Sequence, residues 1–327
     1  MTDAATPARL AQVEVDTIRS VAESLQASVE RVIVGKTEVV RFALAALLCE
    51  GHILLEDVPG IGKTTLAKAI ARSLGCTFRR IQFTPDLMPA DITGINYYNQ
   101  KLGDFVFREG PLAAQVVLAD EINRATPRTQ AALLEAMEER QLTVEGVTMR
   151  LPRPFLVVAT QNPVELEGTF PLPEAQLDRF LVRLDLGYPE EDEEDEILAR
   201  FETASPLDSL RPVVEADELI RHVDALARLH VDPAVRRYAV QIVRETRTDP
   251  AFELGASPRA SLALFRSARA YAAINGRDFV LPDDVKTMAP HVLPHRLILS
   301  TQARLRGRDA RQVLAEILER VPVPVSA

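Results

Sequence analysis

His52-Ile-Leu-Leu-Glu-Asp-Val-Pro-Gly-Ile-Gly-Lys-Thr64 holds three elements in close succession. The apolar run from His52 to Leu55 reads as a short strand, Pro59 to Gly62 as a glycine-rich turn, and Lys63 to Leu74 carries apolar residues at helical period. Strand, glycine turn and helix in that order make a phosphate cradle, the P-loop. Glycines let backbone N–H groups close around phosphate, Lys63 sets a cation at the β and γ phosphates, and Thr64 offers its hydroxyl to Mg²⁺. The residues expected to touch nucleotide are Pro59, Gly60, Ile61, Gly62, Lys63, Thr64 and Thr65. The general pattern also has Gly five residues before Gly62, where this chain has Asp57. Asp visits turn conformations that most residues avoid, so the loop is expected to form with its carboxylate pointing away from the phosphates.

Downstream, Val116-Val-Leu-Ala-Asp120-Glu121 is an apolar strand ending in two carboxylates. A parallel strand delivers its last side chains to the edge of the sheet where the phosphates lie, so Asp120 is placed to hold Mg²⁺ through water and Glu121 to polarise an attacking water. A strand ending in a solvated acidic turn is the plainer alternative, and the P-loop upstream argues against it.

Further apolar runs at Phe78 to Phe83, Phe155 to Ala159 and Phe180 to Leu186 bring the strands to five, separated by helices, which predicts a parallel α/β sheet. Leading helices are expected near 8–30 and over Glu38 to Glu50. Two stretches interrupt the alternation. Ile92 to Phe107 is rich in Gly, Asn, Tyr and β-branched residues around Lys101-Leu-Gly-Asp104, and Leu142 to Leu151 alternates around Glu145-Gly146. Each predicts a hairpin inserted into the sheet fold. Beyond Tyr188-Pro189 come seven consecutive acids, Glu190 to Glu196, read as a solvated helix start. From there on only helical periods are found, near 194–203, 216–229, 233–247, 258–273, 282–289 and 309–320. The expected organisation is an α/β core over 1–188 and a smaller all-helical lid over 189–327.

Composition narrows the function classes. The chain has 327 residues and a net charge of −9, which disfavours wholesale binding to phosphate polymers or an anionic membrane face. Its longest apolar run, Phe42 to Cys49, is far too short to span a bilayer, and the first twenty residues hold no apolar secretory segment, so a cytoplasmic protein is expected. Cys49 and Cys76 cannot build a disulfide framework, and no structural metal is expected. His291 and His295 are four apart, but Pro290 and Pro294 interrupt the stretch, against a helical metal pair.

The order of motifs resembles the AAA+ ATPases. Phe155-Leu-Val-Val-Ala-Thr-Gln-Asn162-Pro163 resembles the sensor 1 strand, whose polar end, Asn162 here, reaches the γ phosphate and water. Leu177-Asp-Arg179-Phe180 resembles the arginine finger, which enters the neighbouring subunit's site. Ser257-Pro-Arg259 resembles sensor 2 on the lid, and a cation in the first turn of a helix opposes the macrodipole unless an anion such as nucleotide lies opposite. The plainer readings are that Arg179 pairs with Glu174 or Asp178 and that Arg259 is an exposed surface arginine. Val32-Ile-Val-Gly35 resembles the adenine-side segment, a role carried to Ile33, Val34 and Gly35.

Within that superfamily, residues 10 to about 325 resemble the MoxR family. Leu54-Leu-Glu-Asp-Val-Pro-Gly60, Ile81-Gln-Phe-Thr-Pro-Asp-Leu-Met-Pro-Ala-Asp-Ile-Thr-Gly94, Ala119-Asp-Glu-Ile-Asn-Arg-Ala125, Leu172-Pro-Glu-Ala-Gln-Leu-Asp-Arg-Phe180 and Gly255-Ala-Ser-Pro-Arg259 carry the likeness. The family's two hairpins, one interrupting the second helix and one before sensor 1, correspond to the two insertions. The resemblance implies an ATP- and Mg²⁺-dependent ATPase in a homo-oligomeric ring, a hexamer. It also implies chaperone-like remodelling, maturation or metal-centre assembly of a partner that carries a von Willebrand factor A domain, with no nucleic acid. A DNA-dependent motor, a metal-chelatase ATPase subunit and a nucleotide-gated scaffold are the alternatives. The second hairpin offers mainly Glu145 and Arg150, no phosphate-tracking patch.

Overall fold

Two helices lead the chain, α1 (Gln12–Glu30) and α2 (Thr37–Leu48), followed by β1 (His52–Glu56), α3 (Lys63–Ser73) and β2 (Phe78–Gln82). This computed structural model describes residues 9–162, 168–202 and 204–324, so Pro163 of the sensor-like strand lies outside the described residues. Next come α4 (Pro89–Thr93), β3 (Gly94–Asn99), β4 (Asp104–Glu109), β5 (Val116–Asp120), α5 (Pro127–Glu139), β6 (Gln141–Val144), β7 (Val147–Arg150), β8 (Leu156–Gln161), α6 (Glu174–Leu177) and β9 (Phe180–Leu184).

The five expected strands form one sheet in the order β2-β5-β8-β1-β9, and every neighbouring pair is parallel. Their continuous apolar character follows from burial on two sides. Successive side chains of a strand point to opposite faces, so Ile53 and Leu55 join the core under α1, α2 and α3, while Leu54 joins the core against α5, with Leu133, Leu134 and Met137. Because all five strands run the same way, their carboxyl ends share one edge, and the loops carrying Gly60, Glu121 and Asn162 open there.

Both insertions are antiparallel hairpins. β3 pairs with β4 from Gly94–Glu109 to Asn99–Asp104, and β6 pairs with β7 from Gln141–Arg150 to Val144–Val147. The second closes through Glu145 (φ 49°) and Gly146 (φ 84°), two successive left-handed residues whose twist suits a two-residue hairpin turn. The hairpins touch where Asn96 Nδ2 donates to Glu145 Oε2 at 2.9 Å. They leave Leu102 and Phe105 about two-thirds exposed, at 70% and 67%.

The remainder is α7 (Glu191–Phe201), α8 (Pro206–Ser209), α9 (Ala216–Leu226), α10 (Pro233–Thr248), β10 (Phe252–Leu254), α11 (Pro258–Ile274), α12 (Pro282–Val292), β11 (Ile298–Leu299), α13 (Thr301–Leu305) and α14 (Ala310–Arg320). The acidic run does open a helix: four carboxylates occupy the first turn of α7, where the macrodipole favours them. The lid is helical, with one addition that the reading of an all-helical lid lacks. β10 and β11 pair antiparallel, Phe252 with Leu299 and Leu254 with Ile298. Segments of three and two residues are too short to show alternation, and only the folded lid brings them together. α12 also runs through Pro290 to Val292 rather than stopping at 289. A proline so close to a helix end forfeits only one backbone bond there. The lid shares its buried core with α1 and α2: Leu264 and Ala268 of α11 belong to the cluster that holds Ile18 and Leu44. Among the described residues no helix is long and apolar enough to cross a membrane.

Candidate functional site

The glycine turn leads into α3 as read. Gly60 (φ 90°) and Gly62 (φ 96°) are both left-handed, a backbone that side chains with a Cβ resist, and Gly62 caps α3. The loop therefore aims its N–H groups and the positive end of a helix at one spot. Lys63 Nζ stands in the loop's concavity and donates to the Asp57 carbonyl at 2.5 Å. Burial lowers the pKa of this ammonium below the ordinary lysine value, while the carboxylates of Asp57, Asp120 and Glu121 pull the other way.

Two cavities meet across the loop. The polar one, about 360 Å³, is lined by Lys63, Thr64, Asp120, Glu121 and Asn162 together with loop residues. The apolar one, about 450 Å³, is lined by Ile33, Val34, Ile61, Leu198 and Phe201, among others, and the two share Pro59, Gly60, Gly62 and Thr65. Ile33 and Val34 thus line the apolar cavity next to the loop. Gly35 lies under the Glu193 side chain, which a Cβ at that position would strike at 1.8 Å, and so it admits the start of α7 rather than facing the cavity.

The acidic pair sits in a hydrogen-bonded frame. Asp120 is buried; its Oδ1 accepts from the Thr160 hydroxyl at 2.6 Å and its Oδ2 from Arg80 Nη2 at 2.6 Å. Glu121 has a left-handed backbone (φ 57°), its N–H donates to Thr160 Oγ1 at 2.9 Å, and its carboxylate meets Gln82 Nε2 at 3.0 Å and Arg124 Nε at 2.9 Å. A non-glycine residue held at positive φ beside a ligand cavity is the kind of strain that accompanies functional sites. Asn162 is buried and lines the polar cavity, as expected of a residue at the end of β8.

Sequence reading missed Arg80, Gln82 and Thr160. Arg80 and Gln82 lie at the carboxyl end of edge strand β2, with Gln82 in register with Asp120. A polar strand end was visible in Arg79-Arg80-Ile81-Gln82, but its relevance depends on β2 being the neighbour of β5. Asp57 behaves as its chemistry required: the carboxylate accepts from the N–H groups of Val58 and Gly187, at 3.0 and 2.8 Å, and not from the phosphate side.

Arg179 and Arg259 are elsewhere. Neither lines either cavity. Arg179 Nη1 donates to the Leu134 carbonyl at 2.6 Å, and Arg259 pairs with Glu138, so both lie over α5. Arg259 is therefore not over this chain's own P-loop, contrary to the expectation of a nucleotide directly opposite it. The reason is the anchoring of α11: Ser257, its cap, donates from Oγ to Asp178 Oδ2 at 3.1 Å, which fixes the first turn beside Arg179. Among the described residues Arg179 pairs with neither Glu174 nor Asp178: its Nη1 is on the Leu134 carbonyl, and Asp178 is engaged by Arg296 Nε at 2.6 Å. His291 packs on the Phe42 ring at 3.9 Å between centroids, and His295 Nε2 lies 3.0 Å from the Phe180 carbonyl.

A mixed apolar and polar cleft on a P-loop, with two acids at the neighbouring strand end, fits a nucleoside triphosphate. Residues 52–182 match the ATPase family associated with various cellular activities, and residues 244–317 match the AAA lid domain. The chain is 43% identical to chaperone MoxR1 of Mycobacterium tuberculosis over 90% of this chain and 80% of that one, and 31% identical to protein MoxR of Methylorubrum extorquens over 94% and 96%. The chain belongs to the MoxR family of AAA+ ATPases. The uncharacterized protein YeaC of Bacillus subtilis is 50% identical over 91% of this chain and 93% of its own length. A protein of Cytophaga hutchinsonii assigned as an ATPase superposes with a TM-score of 0.90 at 37% identity, covering 96% of this chain and 98% of that one. As a MoxR-family member the chain binds nucleotide and hydrolyses ATP.

Proposed function

We propose that this MoxR-family ATPase works at the interfaces of a hexameric cytoplasmic ring and uses Mg²⁺-dependent ATP hydrolysis for chaperone-like remodelling of a partner protein. One observation carries the reading: Arg179 and Arg259 lie together over α5, away from the P-loop that holds Lys63 and Glu121. A site whose transition-state cations come from the next subunit is complete only in an assembly. We take the boundary between core and lid at 188/189, in the segment between the end of β9 at Leu184 and the start of α7 at Glu191.

In this reading the Gly60 and Gly62 loop, the α3 N-terminus and Lys63 bind the phosphates, Thr65 flanks them, and Ile33 and Val34 line the base side. Thr64 and Asp120 would hold Mg²⁺, which when bound would supply positive charge at the phosphates. Two protein oxygens suffice, because Mg²⁺ keeps several waters and takes phosphate oxygens as further ligands. Arg80 must yield Asp120 Oδ2 or share it. Glu121 polarises the attacking water once Gln82 and Arg124 relinquish its carboxylate, and Asn162 orients that water. The neighbour's Arg179 and Arg259 offset the charge that develops on the transferred phosphoryl group.

The exposed apolar residues of the hairpins, Leu102, Phe105 and Val147, support a protein as the client. A von Willebrand factor A domain protein is the proposed partner, and metal-centre assembly or maturation the proposed work. The test is ATP turnover against protein concentration, with mass followed by light scattering. Activity per chain should rise as the ring forms, and Glu121→Gln should lower kcat by about 10² to 10⁴. Constant activity per chain across a verified dissociation overturns the reading.

A further inference from the structure

Asp57 stands where the general P-loop pattern has glycine, yet its backbone does not use glycine's freedom. Among the described residues, positive φ outside glycine occurs only at Glu50, Glu121, Arg140 and Glu145. What the residue adds is a carboxylate, and each of its polar groups holds a different part of the site. Its N–H donates to the carbonyl of Gln161, one residue before Asn162, at 3.3 Å. Its carbonyl accepts from Lys63 Nζ at 2.5 Å. Carboxylate Oδ1 accepts from the Val58 N–H at 3.0 Å, and Oδ2 accepts from the Gly187 N–H at 2.8 Å. Gly187 (φ 65°) lies where the chain leaves β9 for α7, the first helix of the lid, and it lines the apolar cavity. The same segment has a second hold on the core, from Lys36, whose Nζ donates to the Tyr188 carbonyl at 2.9 Å and pairs with Glu193 at 3.4 Å. Of these two holds, the one at Asp57 is built on the P-loop itself.

We propose that Asp57 is a positioning residue that couples occupation of the P-loop to the setting of the helical lid, its carboxylate tying the phosphate cradle to the Gly187 hinge. The inference rests on the nucleotide reading of this site. The Asp57–Val58 peptide is gripped at both ends, its oxygen by Lys63 and its N–H by Asp57 Oδ1. A peptide unit is planar, so its oxygen and hydrogen turn together. Lys63 is the cation that a polyphosphate draws to itself. When the ammonium leaves the Asp57 carbonyl, the peptide loses the contact that fixes its orientation, and a turn of the plane takes the Val58 N–H away from Oδ1. The carboxylate is then free to shift on its remaining partner, the Gly187 N–H, and the hinge shifts with it. Such coupling is reciprocal: a lid setting that breaks the Gly187 bond changes nucleotide affinity by the same factor as nucleotide changes the lid. Glycine at position 57 would leave a working loop without the tie. Asparagine would keep the size but offer one acceptor oxygen in place of two.

The test is hydrogen–deuterium exchange on the full chain as wild type, Asp57→Gly and Asp57→Asn, with and without ADP, read in peptides covering residues 184–190. ADP affinity is measured in parallel by calorimetry. In the wild type, saturating ADP is expected to change exchange in that segment. In Asp57→Gly the segment should exchange roughly ten- to a hundredfold faster without ADP, as for the loss of a bond to a charged acceptor, and in both variants ADP should alter it less than in the wild type. Binding of ADP itself should persist in Asp57→Gly, which restores the general loop pattern. An ADP-induced change in the variants equal to that of the wild type overturns the coupling, as does a wild type that binds ADP with no change at 184–190. A wild type that fails to bind ADP would remove the nucleotide reading instead, so the two failures are distinguishable. Asp57→Asn keeps the test available should Asp57→Gly not fold.

Discussion

The phosphate edge and the arginine face are built from the same chemistry, guanidinium against carboxylate, and they differ in how firmly they are held. At the phosphate edge Asp120 meets Arg80, whose side chain is 49% exposed, and Glu121 meets Gln82 and Arg124. Under the arginine face Asp178 meets Arg296, which is only 3% exposed and also donates to the carbonyls of Phe180 and Leu181, at 2.7 and 3.2 Å. A pair whose arginine is half-exposed is a weaker hold, one that a ligand can reach and displace. A buried pair costs several kcal/mol to break on one side, because its partner is left charged without compensation. On the proposed reading, the edge can rearrange around a ligand, while the buried Arg296–Asp178 pair fixes the face that carries Arg179 and Arg259.

The sharpest way to break this contrast is to remove the presented cation. Arg179→Ala should lower kcat by roughly 10³ to 10⁵, the range for a trans-acting arginine. Mixing Arg179→Ala with Glu121→Gln subunits should restore part of the turnover, since each supplies what the other lacks. No recovery in a verified mixed ring would place Arg179 outside the reaction. Arg296→Ala should destabilise the fold by about 3–5 kcal/mol in chemical denaturation. A loss under about 1 kcal/mol would mean that the arginine face is no firmer than the phosphate edge.

Acid tests the sheet that joins the two regions. His52 of β1 lies wholly inside, its Nε2 donating to the Met137 carbonyl at 3.1 Å and its Nδ1 accepting from the Val157 N–H at 3.0 Å. Burial pushes its pKa down to about 3, because a second ring proton would lose solvation and face a donor. The unfolded imidazole titrates near its ordinary value of about 6.5, so its contribution is complete above that pH and declines as pH falls toward 3. At pH 5 the loss from His52 alone is about 2 kcal/mol relative to pH 7, and burial also lowers His295, so denaturation midpoints should drop over this window. A His52→Gln variant with an undiminished acid drop would exclude this source. The smallest effect is expected for Arg259→Ala, which should cost no more than about 1 kcal/mol of stability because its Glu138 partner is exposed, while still lowering ATP turnover.

Much of the fold was legible from local pattern. The P-loop, the five strands and both hairpins announce themselves within windows of ten or so residues, because strand alternation, helical period and left-handed glycines are properties of neighbouring residues. The nucleotide half of the candidate site was legible for the same reason: Lys63, Thr64, Asp120, Glu121 and Asn162 end or begin elements whose direction the sheet dictates. Arg80 and Gln82 were not legible, since their meaning depends on the lateral order of strands, which no local window contains. The β10–β11 pair was missed because two or three residues carry no period.

The glycine loop with Lys63 and the acidic end of the later strand are written in adjacent residues, so both can be read without the fold. Only the tertiary structure decided that Arg259 belongs beside Arg179 rather than over its own P-loop, that Arg80 lies on Asp120, and that Asp57 reaches Gly187. Each of those contacts joins residues 40 or more positions apart, and their meeting is settled by how helices and strands pack, not by anything either residue shares with its chain neighbours.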